Sequence, residues 1–323
     1  MFYTADYNNY TFTPNKKYKN VSIKYSINDY EKDSSTTLEN LQEYKFYYPD
    51  DKKNHKTFKH DKDVLEIKIE RRKDETKEFR PTVTIDDKQY YQLSTAEDLY
   101  WFYARCDVYK DRNINAILTA DIKVNENVVV NGELNEQEKE NFKPWEPFRL
   151  EGTFDGNGHT ISGLYCDKRG QGYSAFISVL SNGTVKNLGI IDSYFSGNDN
   201  IGSICSNIRR ESVIENCWSN SLINGVWYTG GICGHGNPEF LDSEVVSILN
   251  CQFTGKVTGE KYAGGIIGYL KSYKKTSKIV NCTNSGDVSG KTQVDGICGE
   301  YNAEYVIIEN CVNTGTIIIS KEK

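Results

Sequence analysis

The chain has 323 residues, 37% of them hydrophobic and 26% charged, with a net charge of −6. That charge is spread evenly, 25 basic against 28 acidic residues in 1–150 and 14 against 17 in 151–323, so neither half carries the basic footprint of a nucleic-acid binder. No apolar run approaches membrane-spanning length, which argues against membrane insertion, and the opening Met1-Phe-Tyr-Thr-Ala-Asp6 lacks the pattern of a signal peptide. Such an opening fits either a cytoplasmic protein or a mature segment whose leader has been removed.

Composition changes near residue 150: 25 of the 26 glycines and eight of the nine cysteines follow Leu150, which marks two regions with different building rules. Residues 1–88 read as a small β-sandwich-like module. Val21–Ile27 alternates at period two, and Val64–Ile69 does so less cleanly. Lys73–Lys77 is placed as the turn of a hairpin leading into Phe79–Ile85. The Tyr- and Lys-rich faces of this module read as solvated strand surface.

Residues 89–323 read as a second domain that opens with a helix over 94–106. Ser94 is its expected cap, with Glu97 completing a capping box. A helix here suits the open first coil of a solenoid, whose terminal repeats must hide apolar edges. Trp101 and Cys106 are then core residues of that cap. Asn115–Ile122 and Val128–Val130 read as the first solenoid strands, and Glu133–Lys143 as a charged surface excursion.

From Asn187 onward one short phrase recurs: V-K-N-L at 185–188, then I-E-N-C, I-L-N-C, I-V-N-C and I-E-N-C, ending at Cys217, Cys251, Cys282 and Cys311. A glycine phrase alternates with it: G-S-I-C at 202–205, G-I-C-G at 231–234, G-I-I-G at 265–268 and G-I-C-G at 296–299. From each asparagine to the next isoleucine of the glycine phrase the spacing is 17, 16, 16 and 16 residues, and from that isoleucine onward it is 12, 18, 15 and 13. One fixed half and one variable half are what stacked coils produce, since strands pairing with coils above and below cannot change length while a loop on one edge can. The overall spacing predicts a parallel β-solenoid with three short strands per coil. The asparagines belong at sharp left-handed bends, each amide reaching the equivalent amide one coil away, and Asn281 is expected to be buried in that ladder. Cys217, Cys251, Cys282 and Cys311 should form one interior file, and Cys205, Cys233 and Cys298 another. Ile267 fills a cysteine slot of the second file, so the slot calls for a small hydrophobe, and the thiols are expected to be buried and free.

Gly152-Thr-Phe-Asp-Gly-Asn-Gly-His-Thr-Ile-Ser-Gly-Leu164, with S-T-A-E-D-L-Y-W-F at 94–102, A-I-L-T-A-D-I at 116–122 and the later G-G-I-C-G units, resembles the GLUG-type repeat region of bacterial surface proteins. The resemblance covers about residues 90–320. It implies a right-handed parallel β-helix on an extracellular or cell-surface protein. Ala175–Ser178 and Ser203 depart from the family's glycine-rich pattern. The family's repeats occur both in adhesins and as accessory regions of secreted enzymes, so the resemblance leaves the activity open.

No catalytic constellation emerges from the residues. Asp155-Gly-Asn-Gly-His159 lacks the lysine and helix of a phosphate loop and the spaced carboxylates of a calcium loop, so it reads as a tight turn. Neither Cys-x-x-Cys nor Gly-x-Ser-x-Gly is present, and no metal or cofactor is called for. Candidate ligand-binding residues come from the variable half of the repeat: Arg209, Arg210, His235, Glu239, Asp242, Glu244, Tyr269, Tyr273, Lys274, Tyr301 and Tyr305. All should lie along one loop-bearing edge, where rings interleaved with charges suit sugars. The expected role is non-catalytic recognition of a glycan or of a host or bacterial surface protein. A polysaccharide lyase or hydrolase, needing paired carboxylates, is the alternative, and a structural spacer the third reading.

Overall fold

The computed structural model describes residues 80–236 and 245–320 in full, together with the backbone of six short strands between Asn9 and Ile67. The chain divides into two units, Met1–Arg80 with Val108–Lys110, and Pro81–Asp107 with Asp111–Lys323. In the first, Asn9–Phe12 pairs antiparallel with Tyr44–Tyr47. A separate four-stranded antiparallel sheet runs in the order Tyr30–Ser34, Ser22–Ile27, Lys56–Lys59, Val64–Ile67.

The boundary falls at residue 80 and not at 88, because the segment after it belongs to the second unit. Asp86 and Asp87 take left-handed backbone conformations (φ 48° and 60°) that fold Thr82–Ile85 back onto Lys88–Leu93. Two consecutive residues of that kind match the right-handed twist of a hairpin. Lys88–Leu93 then pairs parallel with Asn115–Leu118 of the solenoid. The turn expected at Lys73–Lys77 lies outside the described residues.

The second unit is a parallel β-solenoid of about eight turns. Each coil passes through four walls. The first contains Asn115–Leu118, Thr153–Asp155, Thr184–Lys186, Ser212–Glu215, Val246–Leu249, Ser277–Val280 and Val306–Glu309. The second stacks Ile122–Lys123, Thr160–Ser162, Gly189–Ile191, Trp218–Ser219, Gln252–Phe253, Thr283–Asn284 and Val312–Asn313. The third is bent: Tyr165–Ser174 and Tyr194–Ile201 run through the bend, and later coils break there into pairs such as Leu222–Asn224 with Trp227–Gly230 and Lys256–Thr258 with Lys261–Gly264. The fourth holds Phe148–Leu150, Ile177–Ser181, Cys205–Arg209, Cys233–Gly236, Ile267–Leu270 and Cys298–Tyr301. A later coil thus has five short strands where three were expected, because the fixed half of the repeat contains the bend within the third wall.

The turn from first to second wall is the asparagine ladder. Asn187, Asn216, Asn250, Asn281 and Asn310 all have φ between 52° and 55°. The Nδ2 group of Asn216 donates to Oδ1 of Asn187 (3.2 Å), Asn250 to Asn216 (3.1 Å) and Asn281 to Asn250 (3.0 Å). The file ends upstream on a carboxylate, Asn187 donating to Asp155 Oδ1 (3.0 Å). These side chains point outward, and Asn281 is exposed where burial was expected. The left-handed bend turns the asparagine to solvent and leaves the following residue, Leu188 or a cysteine, to face the interior.

Both cysteine files stack as predicted. Cys205, Cys233, Ile267 and Cys298 are consecutive register partners in the fourth wall. Cys217, Cys251, Cys282 and Cys311 follow the asparagines rung by rung, with the Cys282 amide donating to Cys311 Sγ at 3.4 Å. All nine thiols are free, and only Cys311, on the last coil, is not fully buried. Burial raises the pKa of Cys251, with the neighbouring Cys217 thiol adding to it, and pushes Cys166 up to about 12. The first glycine of the glycine phrase makes room across the narrow column: a Cβ on Gly265 would lie 2.4 Å from Asn284 Cγ, and one on Gly231 2.4 Å from Phe253 Cγ.

At the N-terminal end the helix Ala96–Asp107 covers the apolar interior of the first full coil. Phe102 packs edge-on against Phe148 and Phe154, each 5.7 Å away, and Trp145 stacks on Phe176 while donating to its carbonyl (2.9 Å). The cap is shifted one residue from the expected Ser94–Glu97 pair. Thr95 Oγ1 accepts from the Asp98 amide (3.1 Å), and the Asp98 carboxylate accepts from the Ser94 and Thr95 amides (2.9 and 3.1 Å). Val129–Val130 also departs from expectation. It pairs with Glu133–Leu134 in a hairpin off the coil, not as a coil strand.

Replacement of Asn250 separates backbone from amide contributions. Asn250→Gly keeps the left-handed bend and loses two exposed amide bonds, whereas Asn250→Ala also incurs the left-handed penalty of about 1–2 kcal/mol. Urea titration should find the alanine variant less stable than the glycine variant by about 1 kcal/mol.

Candidate functional site

The residues that come together on the surface lie at the corner between third and fourth walls. Register stacks positions 173, 200, 228, 262 and 293 there, and all five are left-handed: Tyr173 (φ 65°), Asn200 (59°), Tyr228 (51°), Tyr262 (59°) and Gln293 (49°). Asparagine takes this backbone readily, but a bulky ring there is unusual and costs about 1–2 kcal/mol.

Ring packing offsets that cost. Tyr228 and Tyr262 stack almost parallel, with centroids 5.1 Å apart and planes 6° from parallel. His235 stacks on Tyr228 at 4.8 Å. Tyr269 meets Tyr228 and Tyr262 edge-on, both at 5.3 Å. With each pair contributing about 0.5–1.5 kcal/mol beyond buried area, three contacts on Tyr228 suffice to hold its strained backbone. The stack covers the faces of Tyr228, so what the cluster offers a ligand is its rim. Trp227 leans on both tyrosines (6.2 and 6.1 Å) and is 40% exposed, the most exposed of the four tryptophans. Lys261 Nζ sits 5.1 Å from the Trp227 ring and 4.6 Å from that of Tyr262.

Beside the Lys261 cation, the rings of Tyr228, Tyr269 and His235 are uncharged at neutral pH. Burial, reinforced by Tyr262 and Asp199, raises the Tyr228 pKa; burial likewise raises that of Tyr269, so both hydroxyls stay protonated at neutral pH. His235 Nδ1 lies 3.1 Å from Asn207 Nδ2, and Asn207 Oδ1 accepts from Arg209 Nε (2.9 Å). Burial, with the Arg209 charge adding to it, lowers the His235 pKa to about 4, so its ring is neutral.

Of the residues proposed from sequence, the structure gathers two, His235 and Tyr269, which are direct register partners. Arg209 supports them through Asn207. Arg210 turns the chain toward the first wall with φ 54°. Tyr273 and Lys274 occupy the corresponding turn two coils on, where Lys271 Nζ lies 5.0 Å from the Tyr273 ring. Tyr301 is 41% exposed beside Leu270, and Tyr305 lies in the turn following Asn302. Glu239, Asp242 and Glu244 lie outside the described residues. Among the described residues, the rings concentrate at the corner entering the fourth wall. Trp227, Tyr228, Lys261 and Tyr262 were missed, although a signal exists: both tyrosines stand four residues before the isoleucine of their glycine phrase.

No family model matches the chain. An alignment 139 positions long, covering 36% of this chain and 2% of the other protein, is 30% identical to halomucin of Haloquadratum walsbyi. Among solved structures, a Bacteroides ovatus protein proposed to be an immunoglobulin A1 protease superposes with a TM-score of 0.53 at 20% identity, over 74% of this chain and 85% of its own. At that identity the likeness shows the shared solenoid fold alone. No helix among the described residues is long and apolar enough to cross a membrane.

The depressed His235 pKa has a stability consequence. The unfolded chain binds a proton near pH 6.5, whereas the folded ring does so only near pH 4. Its contribution is therefore complete above pH 6.5 and is lost as pH falls toward 4, by about 3 kcal/mol at most. Melting temperatures should fall across this window, and His235→Gln should flatten the slope.

Proposed function

We propose that this chain is a non-catalytic recognition module of a surface protein and binds glycan through the aromatic corner. The observation that carries this reading is Trp227, held rigidly at the rim of a strained, stacked ring cluster with Lys261 beside it. Rigid amphipathic rings give contact area at little entropic cost, and sugars present the apolar ring faces and hydroxyls that such a rim can satisfy. Left-handed backbone at bulky residues, as at Tyr228 and Tyr262, is a pointer toward function. The halomucin similarity and the GLUG-type phrases support placement on a surface protein.

The lyase or hydrolase alternative needs two carboxylates converging within roughly 5–10 Å. The described carboxylates in register with the cluster are Asp199, one coil before Trp227, and Glu300, one coil after Tyr269. They are three rungs apart, roughly 14 Å along the axis, which suits binding better than glycosidic cleavage.

A glycan array tests the reading. Trp227→Ala should weaken every array ligand by at least about tenfold while leaving the melting temperature within about 2 °C, as expected for an exposed ring. Unchanged binding by this variant would defeat the assignment.

A further inference from the structure

The outer face of the third wall carries a second feature, on the same two coils as Trp227 and Lys261. The charged excursion folds over this wall. Leu134 and Phe142 pack with Val128 against Tyr165, Tyr194 and Leu222, and Phe142 lies 5.4 Å from the Tyr165 ring. Between the Val129–Leu134 hairpin and the wall remains an open cleft of about 250 Å³. Pockets for drug-sized ligands measure roughly 300–1,000 Å³, so this smaller space suits a single glycosyl residue.

Its lining is chemically divided. Leu222 and Leu134 form an apolar floor, while Asn224, Thr258 and Lys256 supply polar groups on the wall side and Glu133 on the hairpin side. Asn224 Nδ2 donates to the Tyr194 hydroxyl (3.3 Å), which leaves its Oδ1 to accept. Ser289 Oγ donates its one proton to the Val257 carbonyl (3.2 Å), so the 3.3 Å contact with Thr258 uses the Thr258 hydroxyl proton. The donor facing the cleft is the Tyr194 hydroxyl, which accepts from Asn224 and keeps its own proton to donate. Neither Glu133 nor Lys256 has an ion-pair partner among the described residues. An amide acceptor and a hydroxyl donor beside an apolar patch match an acetamido group, whose N–H, carbonyl and methyl need those three surroundings. Sugar hydroxyls alone would leave the apolar floor unused.

We propose that this cleft is a subsite for an N-acetylated hexosamine residue, in a glycan that continues onto the aromatic corner. The inference rests on the glycan-binding reading above. Asn224 and Trp227 are three residues apart in one coil, at most about 10 Å, so a short oligosaccharide spans both features. Its chain would run across the coils, with the acetamido group in the cleft and a neighbouring ring at Trp227.

Two oligosaccharide series with the same β-1,4 linkage, differing only in the acetamido group, test this on the full chain by calorimetry. Chitotriose should bind at least ten times more tightly than cellotriose. Thr258→Trp, which fills the cleft from an exposed position, should abolish that preference, and Asn224→Ala should reduce it severalfold. Circular dichroism and melting temperature of each variant verify that the solenoid is intact. Equal affinities, no binding of chitotriose, or a preference that survives Thr258→Trp would each overturn the inference. If chitotriose fails while array ligands remain sensitive to Trp227→Ala, the corner stands and the cleft does not. If Trp227→Ala changes nothing while Thr258→Trp removes a chitotriose preference, the cleft stands and the corner reading falls.

Discussion

Register between coils is the constraint on which everything else in this molecule depends. Parallel strands mostly two to five residues long gain little singly, so each coil holds its shape only if its neighbours present the same groups at the same height. The outward asparagine amides provide that on one corner, donating from coil to coil through consecutive bonds of 3.0–3.2 Å. The thiol files provide it inside, where a sulfur is small enough for the narrow column and donates to a backbone carbonyl two residues away, as Cys217 does to Glu215 (3.3 Å) and Cys251 to Leu249 (3.2 Å). Burial keeps those thiols protonated, so the interior behaves as apolar despite eight fully buried cysteines.

The same register explains how strained tyrosines persist on the surface. A single left-handed tyrosine would be a liability, but Tyr228 and Tyr262 occupy equivalent positions on adjacent coils and therefore stack. Stacking feeds back on the backbone, since neither ring can relax without losing its partner. The outcome is a rim whose geometry is set by the solenoid and not by loop conformation. Rigid scaffolds of this kind favour precise recognition because little ordering remains to be done on binding.

Much of the architecture was legible because the repeat reports it directly. The nearly constant spacing from each asparagine to the following isoleucine identified the half without a variable loop, and Ile267 in a cysteine slot identified that slot as apolar. Local details were harder where two neighbouring residues were equally competent. Ser94 and Thr95 can both cap a helix, as Glu97 and Asp98 can both close the box, and tertiary position selected the later pair. The asparagine bends were read correctly but their exposure was not, because a bend makes either face possible until the following residue is seen to point inward. The aromatic corner escaped notice for a physical reason: tyrosine propensity argues for ordinary strand, and only stacking across coils makes a left-handed tyrosine tolerable. The excursion looked like charged surface because Leu134 and Phe142, its two anchors, are diluted among glutamates and lysines.

The unequal halves of the repeat carry one more implication, for engineering. Between fourth and first walls the connection changes length from coil to coil, yet the strands it joins keep their pairing. Foreign peptides grafted at that corner would be presented at regular intervals along a stiff axis, with each addition accommodated locally. The opposite path, through second and third walls, is held nearly constant, at 17, 16, 16 and 16 residues from asparagine to isoleucine, and the extra residues of Tyr165–Ser174 are taken up at a single irregularity between Lys168 and Gly172.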